Sequence, residues 1–407
     1  MTLLLPVSST DRVRLAARCR GVRAHSLALA APLSPEDMGL QSMPEASPAK
    51  WHLAHTTWFF ETVVLLPYAP GHQPVDARWA RLFNSYYEAL GPRHPRPQRG
   101  LLSRPALGEV LAYRAAIDTA LLRFIAEADD DSLMAAAPLI ELGLHHEQQH
   151  QELLLTDLLH AFSLNPLLPA VCTGPAPHCV VAGEAGWLQH PGGEVRIGHA
   201  DGTGFAFDNE TPRHAVLLQA HALARRLVTN DEMRDFIVDG GYRRPSLWLS
   251  EGWAAVQALG WQAPLYWQLD AAGQPLAEFG LHGLQPWQPD APACHLSFFE
   301  AAAYAEWAGA RLPTEFEWEV AASAAQPPPD IYGAVWQWTR SSYDPYPRFR
   351  PHAGAVAEYN GKFMVGQVVL RGSSSATPPG HARATYRNFF PPVARWQFSG
   401  LRLARDL

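Results

Sequence analysis

Two rhythms of apolar positions divide the chain. Through roughly the first 165 residues, apolar side chains recur at the i, i+3, i+4, i+7 spacing of helices with one buried face. Four stretches carry this pattern: Asp11–Leu29, rich in Arg, Ala and Leu; a segment opened by Ser47-Pro48 and running to about Leu66; Leu107–Ala128; and Ser132–Phe162, which stops at Asn165-Pro166. Ser47 is expected as an N-cap with Pro48 at the first helical position. The acidic run Asp129–Asp131 is expected to close the third helix. Four helices of this length predict a bundle, a fold that holds metals on side chains from facing helices.

Residues 166–182 are rich in Pro and Ala and read as a linker. Beyond them Gly, Pro and Trp become frequent and apolar runs shorten, as in Val195-Arg196-Ile197 and Val216-Leu217-Leu218. Two short helices are expected, Thr229–Asp239 and Ser297–Ala308, among short strands and long loops. The predicted fold class is α+β: a helical domain at 1–168, a linker at 169–182 and a strand-rich domain at 183–407.

Composition agrees with two domains. A chain of 407 residues with 47% hydrophobic content can bury two cores. The formal net charge of -7 argues against nucleic acid as the main partner. No apolar run reaches the ~20 residues needed to span a bilayer, so no membrane partner is expected. The N-terminus has neither a basic n-region nor a long apolar region and does not read as a signal peptide. Four scattered cysteines form no CxxC pair, which fits a reduced, cytoplasmic protein.

The chemistry concentrates in L-H-H-E-Q-Q-H-Q-E-L-L-L-T-D-L-L (Leu144–Leu159). His146 and His150 stand four residues apart, which on a helix puts their Cβ atoms ~5–6 Å apart on one face. Leu153, Leu154 and Leu158 continue that side, so the pair is expected to point into the bundle. Buried imidazoles need partners, and a metal ion would satisfy both. W-H-L-A-H-T-T-W-F-F-E (Trp51–Glu61) offers a third ligand, either His52 or His55, and spacing does not choose between them. His145 and His160 are further candidates, though histidines so placed are more often capping or solvent-facing residues. Three imidazoles leave open coordination positions, the mark of a catalytic rather than a structural site.

A long loop between the second and third helices carries Tyr86-Tyr87 and then G-P-R-H-P-R-P-Q-R-G (Gly91–Gly100). Loops of this length in compact domains are usually functional or disordered. A tyrosine beside a redox metal can supply a proton or a hydrogen bond.

Taken together, these segments resemble a known family. His146–His150 and Trp51–Glu61 are similar to the DinB-like domain of the ergothioneine-biosynthesis sulfoxide synthases. A-G-A-R-L-P-T-E-F-E-W-E (Ala308–Glu319), G-A-V-W-Q-W-T (Gly333–Thr339) and Tyr386–Ala404 resemble the formylglycine-generating-enzyme (sulfatase-modifying-factor) domain, a C-type-lectin-like fold. The resemblance implies mononuclear Fe(II) on His55, His146 and His150, with O2 as co-substrate. It implies small-molecule partners: hercynine (Nα-trimethylhistidine) and a thiol or selenol donor joined to C2 of its imidazole. By motif position, Gln149 is expected to bond the hercynine imidazole, and Asn388 and Phe389 to hold its betaine end. Tyr86-Tyr87 resembles the tyrosine pair of the cysteine-using subgroup.

Several positions depart from relatives. Where the γ-glutamylcysteine-using subgroup carries an acid and an arginine, this chain has Phe390 and Ala394, which implies a smaller donor such as free cysteine. Arg93, Arg96 and Arg99 are then candidates for its carboxylate. Ser374 stands where many relatives carry cysteine, which keeps open a related branch that makes a C–Se bond from a selenosugar. With no cysteine after Cys294, formylglycine chemistry is not expected of the second half. A metal-dependent thiol transferase and a non-catalytic ligand-binding protein are the alternatives from other classes.

Overall fold

The computed structural model describes residues 9–177, 179–181, 183–351, 356 and 360–407. The chain forms two compact units, one running to Leu164 and the other comprising Asn165–Pro351 and Asn360–Leu407. Among the described residues, no helix is long and apolar enough to cross a membrane.

The first unit holds α1 (Ser9–Ala30), α2 (Ala49–Phe59), α3 (Leu66–Tyr68), α4 (Trp79–Phe83), α5 (Leu107–Glu127) and α6 (Asp130–Ser163). The four long ones, α1, α2, α5 and α6, pack against one another as the expected bundle. A π-helical turn, Phe60–Leu65, joins α2 to α3. Such turns are rare and tend to sit at functional sites; this one follows His55 by five residues. The widened turn presents Phe59 and Phe60 to Gly143 on α6. A Cβ at residue 143 would come within 2.6 Å of the Phe60 ring and 3.0 Å of Phe59, so only glycine admits this approach.

Two helix starts differ from expectation. Asp129 does not end α5 so much as cap α6, its carboxylate accepting from Ser132 N. Ser47 does not cap α2, whose N-cap is Pro48 with an extended backbone. The Ser47 backbone N–H donates instead to Asp157 Oδ2 at 2.7 Å, and its hydroxyl accepts from Arg99 at 2.9 Å.

A buried ion cluster binds α1, α5 and α6 together. Glu147 accepts from Arg23 at 3.0 Å, from Ser26 at 2.5 Å and from Arg114. Two guanidiniums hold its carboxyl down to about 2 against the opposing effect of burial. Because Glu147 neighbours His146, this cluster also fixes the turn of α6 that bears the histidines.

The second unit is built from small sheets and capped helices. One sheet has the order β1 (Trp187–His190), β4 (His221–Ala224), β12 (Ala404–Asp406), all antiparallel. Strands β2 (Gly193–Ile197) and β3 (His214–Leu218) form an antiparallel ribbon. Strands β5 (Trp267–Leu269), β6 (Pro275–Gly280) and β7 (Gly283–Pro286) form a meander. The fourth sheet runs β10 (Asn388–Phe390), β9 (Val368–Gly372), β8 (Trp336–Ser342), β11 (Ser399–Gly400), with β11 parallel to β8. The expected helices are α7 (Asn230–Val238) and α9 (Phe298–Trp307); α8 (Ser250–Leu259) and α10 (Glu315–Ala322) lie where only strands and loops were expected. Capping boxes start three of them: Thr229 with Glu232, Ser297 with Glu300, and Thr314 with Glu317.

The Pro- and Ala-rich stretch read as a linker is tied to this unit. Val171 N and Cys172 N both donate to Leu281 O at 2.8 Å, and Val181 N donates to Asp290 O. Buried Arg–Glu pairs pin the long loops, among them Arg387–Glu315 at 2.8 Å and Arg395–Glu300 at 2.5 Å.

Candidate metal centre

Of the two histidines that spacing left equal, the fold treats each differently. His55 is fully buried, and its Nε2 lies 3.1 Å from His146 Nε2. Ligand nitrogens of His55, His146 and His150 all lie within 4.8 Å of one another, the only such metal-ligating group among the described residues. His52 turns aside from this triad. Its Nδ1 lies 2.8 Å from His150 Nδ1, and its Nε2 lies 3.0 Å from Asp157 Oδ2.

The tautomer of His55 follows from its surroundings. A helix leaves its last carbonyls without intrahelical partners, and at the end of α4 two of these accept side-chain N–H groups. Leu82 O accepts from Trp51 Nε1 at 3.0 Å, and Phe83 O accepts from His55 Nδ1 at 2.6 Å. With the proton on Nδ1, the lone pair of His55 lies on Nε2, the atom facing His146. This is the arrangement in which one ring nitrogen is anchored so that the other can bind a metal.

All three imidazoles are held neutral. Burial drives the pKa of His55 well below the usual histidine range, and His146 adds to the effect. Burial brings His146 down to about 3. His150 is lowered by burial, then by His146 and His55. Neutral imidazole is the ligand form, and the donor set is all nitrogen. Two nitrogens ~2.1 Å from a common ion at about a right angle are ~3.0 Å apart, so the 3.1 Å separation of His55 and His146 fits a shared ion. The donor set also fits Fe(II), since imidazole suits iron as well as zinc, copper and nickel.

Aromatic rings enclose the cluster. Trp51 stacks on His55, with ring centroids 4.6 Å apart and planes at 12°, and Trp58 stacks on it at 5.6 Å. Phe59 packs on His146 at 4.8 Å. Tyr87 is fully buried against Trp58 and Phe59, and Tyr86 lies over it at 4.6 Å, partly exposed. The side chain of Asn84 fixes this corner: it donates to Tyr87 O at 2.9 Å and Gly91 O at 3.0 Å, and accepts from Tyr87 N.

The three loop arginines separate clearly. Arg93 is exposed, pairing with Glu88 at 3.0 Å and donating to Ser85 O at 3.1 Å. Arg96 is exposed and donates to the Glu45 carbonyl. Arg99 is buried, its guanidinium carbon 3.4 Å from the centre of the Trp51 ring. It donates to the hydroxyls of Ser47 and Ser85 rather than to a carboxylate. Burial, and then Arg96, press its pKa down to about 8. A guanidinium keeps its proton, so the cost falls on a desolvated cation that an anion would relieve.

The remaining expected residues are distributed as follows. Gln149 is half-buried on the turn that bears His146 and His150. His145 is buried, with Arg18 3.5 Å from its Nε2, and His160 bonds Ser42 at 2.7 Å, so the former is not the solvent-facing residue expected. In the second unit, Asn388, Phe389 and Phe390 form β10 and are half-buried. Phe389 stacks on Tyr343 at 4.0 Å, and the preceding Arg387 is anchored on Glu315 by two bonds of 2.8 and 2.9 Å. Ser374 is buried there. Asp157 was not singled out from sequence, though it lies seven residues after His150, two turns along the same helical face.

Comparison with known proteins agrees with this architecture. The DinB superfamily model matches residues 19–154, and the sulfatase-modifying factor enzyme 1-like domain model matches residues 181–327 and 329–407. The hercynine oxygenase of Mycolicibacterium smegmatis is 33% identical, over 90% of this chain and 93% of that protein. The chain belongs to the ergothioneine sulfoxide synthase family. The hercynine oxygenase of Mycobacterium tuberculosis is 31% identical, over 98% of this chain and 100% of that protein. Formylglycine-generating enzyme from Streptomyces coelicolor is 36% identical over 38% of this chain and 52% of that protein. Membership of this family makes the protein an enzyme of the oxygenase type and sets aside the non-catalytic reading.

Proposed function

We propose that the protein is an Fe(II)- and O2-dependent synthase that joins a sulfur donor, cysteine, to C2 of the hercynine imidazole in ergothioneine biosynthesis. The observation that carries the reading is the convergence of three neutral imidazoles from α2 and α6, those of His55 and His146 buried and that of His150 partly exposed. The relatives that align along nearly the whole chain are hercynine oxygenases. The overall change balances without another reductant. Thiol, imidazole C–H and O2 give a sulfoxide and water, with four electrons passing from the two substrates to O2.

In this reading His55, His146 and His150 hold the iron, which supplies the redox chemistry when bound. Three neutral ligands leave positions for substrates. Gln149, beside His150, hydrogen-bonds the hercynine imidazole. Asn388, Phe389 and Phe390 are proposed to recognise its trimethylammonium end, where an aromatic face attracts a cation. Tyr87, with Tyr86 against it, holds or passes the proton that the oxygen chemistry requires at its Oη. Arg99 is proposed to receive the donor's carboxylate, in preference to the exposed Arg93 and Arg96. Trp51 and the two serines hold its guanidinium ready for a bidentate pair. A cytoplasmic setting fits the four scattered cysteines of the sequence, which form no CxxC pair.

A second reading, a selenosugar donor giving a C–Se bond, is favoured by Ser374, which stands where many relatives carry cysteine. Such a donor carries no carboxylate and leaves Arg99 without its anion, which is why cysteine leads. Iron-loaded protein given hercynine with cysteine, and separately hercynine with selenosugar, decides between them by product mass. A sulfoxide with cysteine supports the leading reading. A selenium adduct with no cysteine product replaces it.

A further inference from the structure

Two contacts outside the ligand triad fix where protons must be. A carboxylate accepts, so the 3.0 Å contact between His52 Nε2 and Asp157 Oδ2 puts a proton on His52 Nε2. The 2.8 Å contact between His52 Nδ1 and His150 Nδ1 needs one proton between two nitrogens. If it sits on His150 Nδ1, then His52 accepts, and the lone pair of His150 lies on Nε2. If it sits instead on His52 Nδ1, the proton of neutral His150 is forced onto Nε2, and its lone pair is spent on His52. Only the first arrangement makes His150 a ligand, and it matches His55, whose Nδ1 is likewise occupied by Phe83 O.

The pieces that hold this chain in register are themselves fixed. His52 and Asp157 are both buried. Asp157 Oδ2 also accepts from Ser47 N at 2.7 Å, at the entry to α2. Asp157 and His150 share α6, and His52 and His55 share α2, so the relay ties together the two helices that supply all three ligands.

We propose that His52 and Asp157 are positioning residues of the metal centre: the Asp157–His52 pair selects the Nδ1–H tautomer of His150 and aims its Nε2 at the ion. The inference rests on the reading of His55, His146 and His150 as ligands. Groups hydrogen-bonded to metal-bound histidines typically account for ~10–100-fold in metal affinity.

The test is metal titration of the full-length, metal-free protein with Co(II), followed by its visible absorption, alongside competition by Fe(II). Asp157→Asn is expected to weaken Co(II) binding ~10-fold, and His52→Leu ~100-fold, with altered Co(II) bands. His52→Gln, whose amide can accept from His150 Nδ1–H and donate to Asp157, is expected to recover most of the affinity. A purely packing role would favour Leu at least as much as Gln. Thermal melts of the metal-free variants separate lost folding from lost metal binding. Asp157→Asn keeps the test alive where His52→Leu does not fold, because it exchanges a single atom. Unchanged affinity and spectrum in Asp157→Asn and in both folded His52 variants would overturn the proposal. His55→Ala distinguishes the two levels: if it abolishes binding while the His52 and Asp157 variants bind normally, only the relay fails. If it binds as the parent does, the centre itself is wrong and the relay falls with it.

Discussion

The Trp51 indole stacks on the His55 imidazole at 4.6 Å and also carries the Arg99 guanidinium, 3.4 Å from its ring centre. A buried cation is thus set one aromatic ring away from a proposed metal ligand. Elsewhere in the first unit, the buried guanidiniums of Arg23 and Arg114 both meet the carboxylate of Glu147. Arg99 has serine hydroxyls instead.

If Arg99 waits for the donor's carboxylate, Arg99→Met should raise KM for cysteine. Charged hydrogen bonds contribute ~1.5–3 kcal/mol, so a rise of ~10–100-fold is expected, with KM for hercynine nearly unchanged. Steady-state kinetics with each substrate varied in turn checks this. Equal rises in both KM values would show general damage to the site.

The buried tyrosine corner predicts a change of product rather than of binding. Tyr87→Phe, which keeps the ring packed on Trp58 and Phe59, should lower the sulfoxide yield and divert thiol to disulfide or sulfinate. Tyr86→Phe is the companion variant, since the second ring lies 4.6 Å away. Product ratios by mass spectrometry decide, and unchanged ratios in both variants remove the pair from the chemistry.

Glu147 predicts stability. Removing one partner of a buried ion cluster leaves uncompensated charge and typically costs ~3–5 kcal/mol. Glu147→Ala leaves Arg114 without its carboxylate and Arg23 with Asp118 alone, and should lower the denaturant midpoint strongly. Glu141→Ala, which loses a part-exposed pair with Arg18, should change it by under ~1 kcal/mol.

Acid should destabilise the metal-free protein through the same imidazoles. His146 falls from 6.5 unfolded to about 3 folded, through burial. Between those values the unfolded chain binds more protons, so stability is present above about pH 6.5 and is lost as pH falls toward 3. The slope is at most ~1.4 kcal/mol per pH unit for each such histidine. Urea melts of the metal-free protein from about pH 7 to about pH 4 measure it, and His146→Gln should flatten the dependence.

The helical half was legible because its signals are long and redundant. Periodic apolar faces over four segments survive errors of a residue or two at each end, as at Ser47 and Asp129. The helix α10 was missed although T-E-F-E at Thr314 is a capping box in plain view. Its eight residues are too few for periodicity to register. The helix α8 has no side-chain cap at its start, leaving only Gly260 at its end as a signal.

The site divides in the same way. The i, i+4 pair His146/His150 is a local fact, readable on one helix. The roles of His52 and His55 are tertiary: the Phe83 carbonyl and the Asp157 carboxylate, 28 and 105 residues away, decide between them. Arg99 likewise looked no different from Arg93 and Arg96 until the fold buried it against Trp51.

Everything proposed for the site requires that the three-histidine centre use O2 to couple two substrates. The decisive experiment is oxygen uptake by Fe(II)-reconstituted protein, measured with hercynine and cysteine together and with each omitted. Rapid uptake is expected only when both are present, with one O2 consumed per sulfoxide formed and both signals lost in His55→Ala. Uptake that is indifferent to hercynine, or a coupled product formed without oxygen, would contradict it.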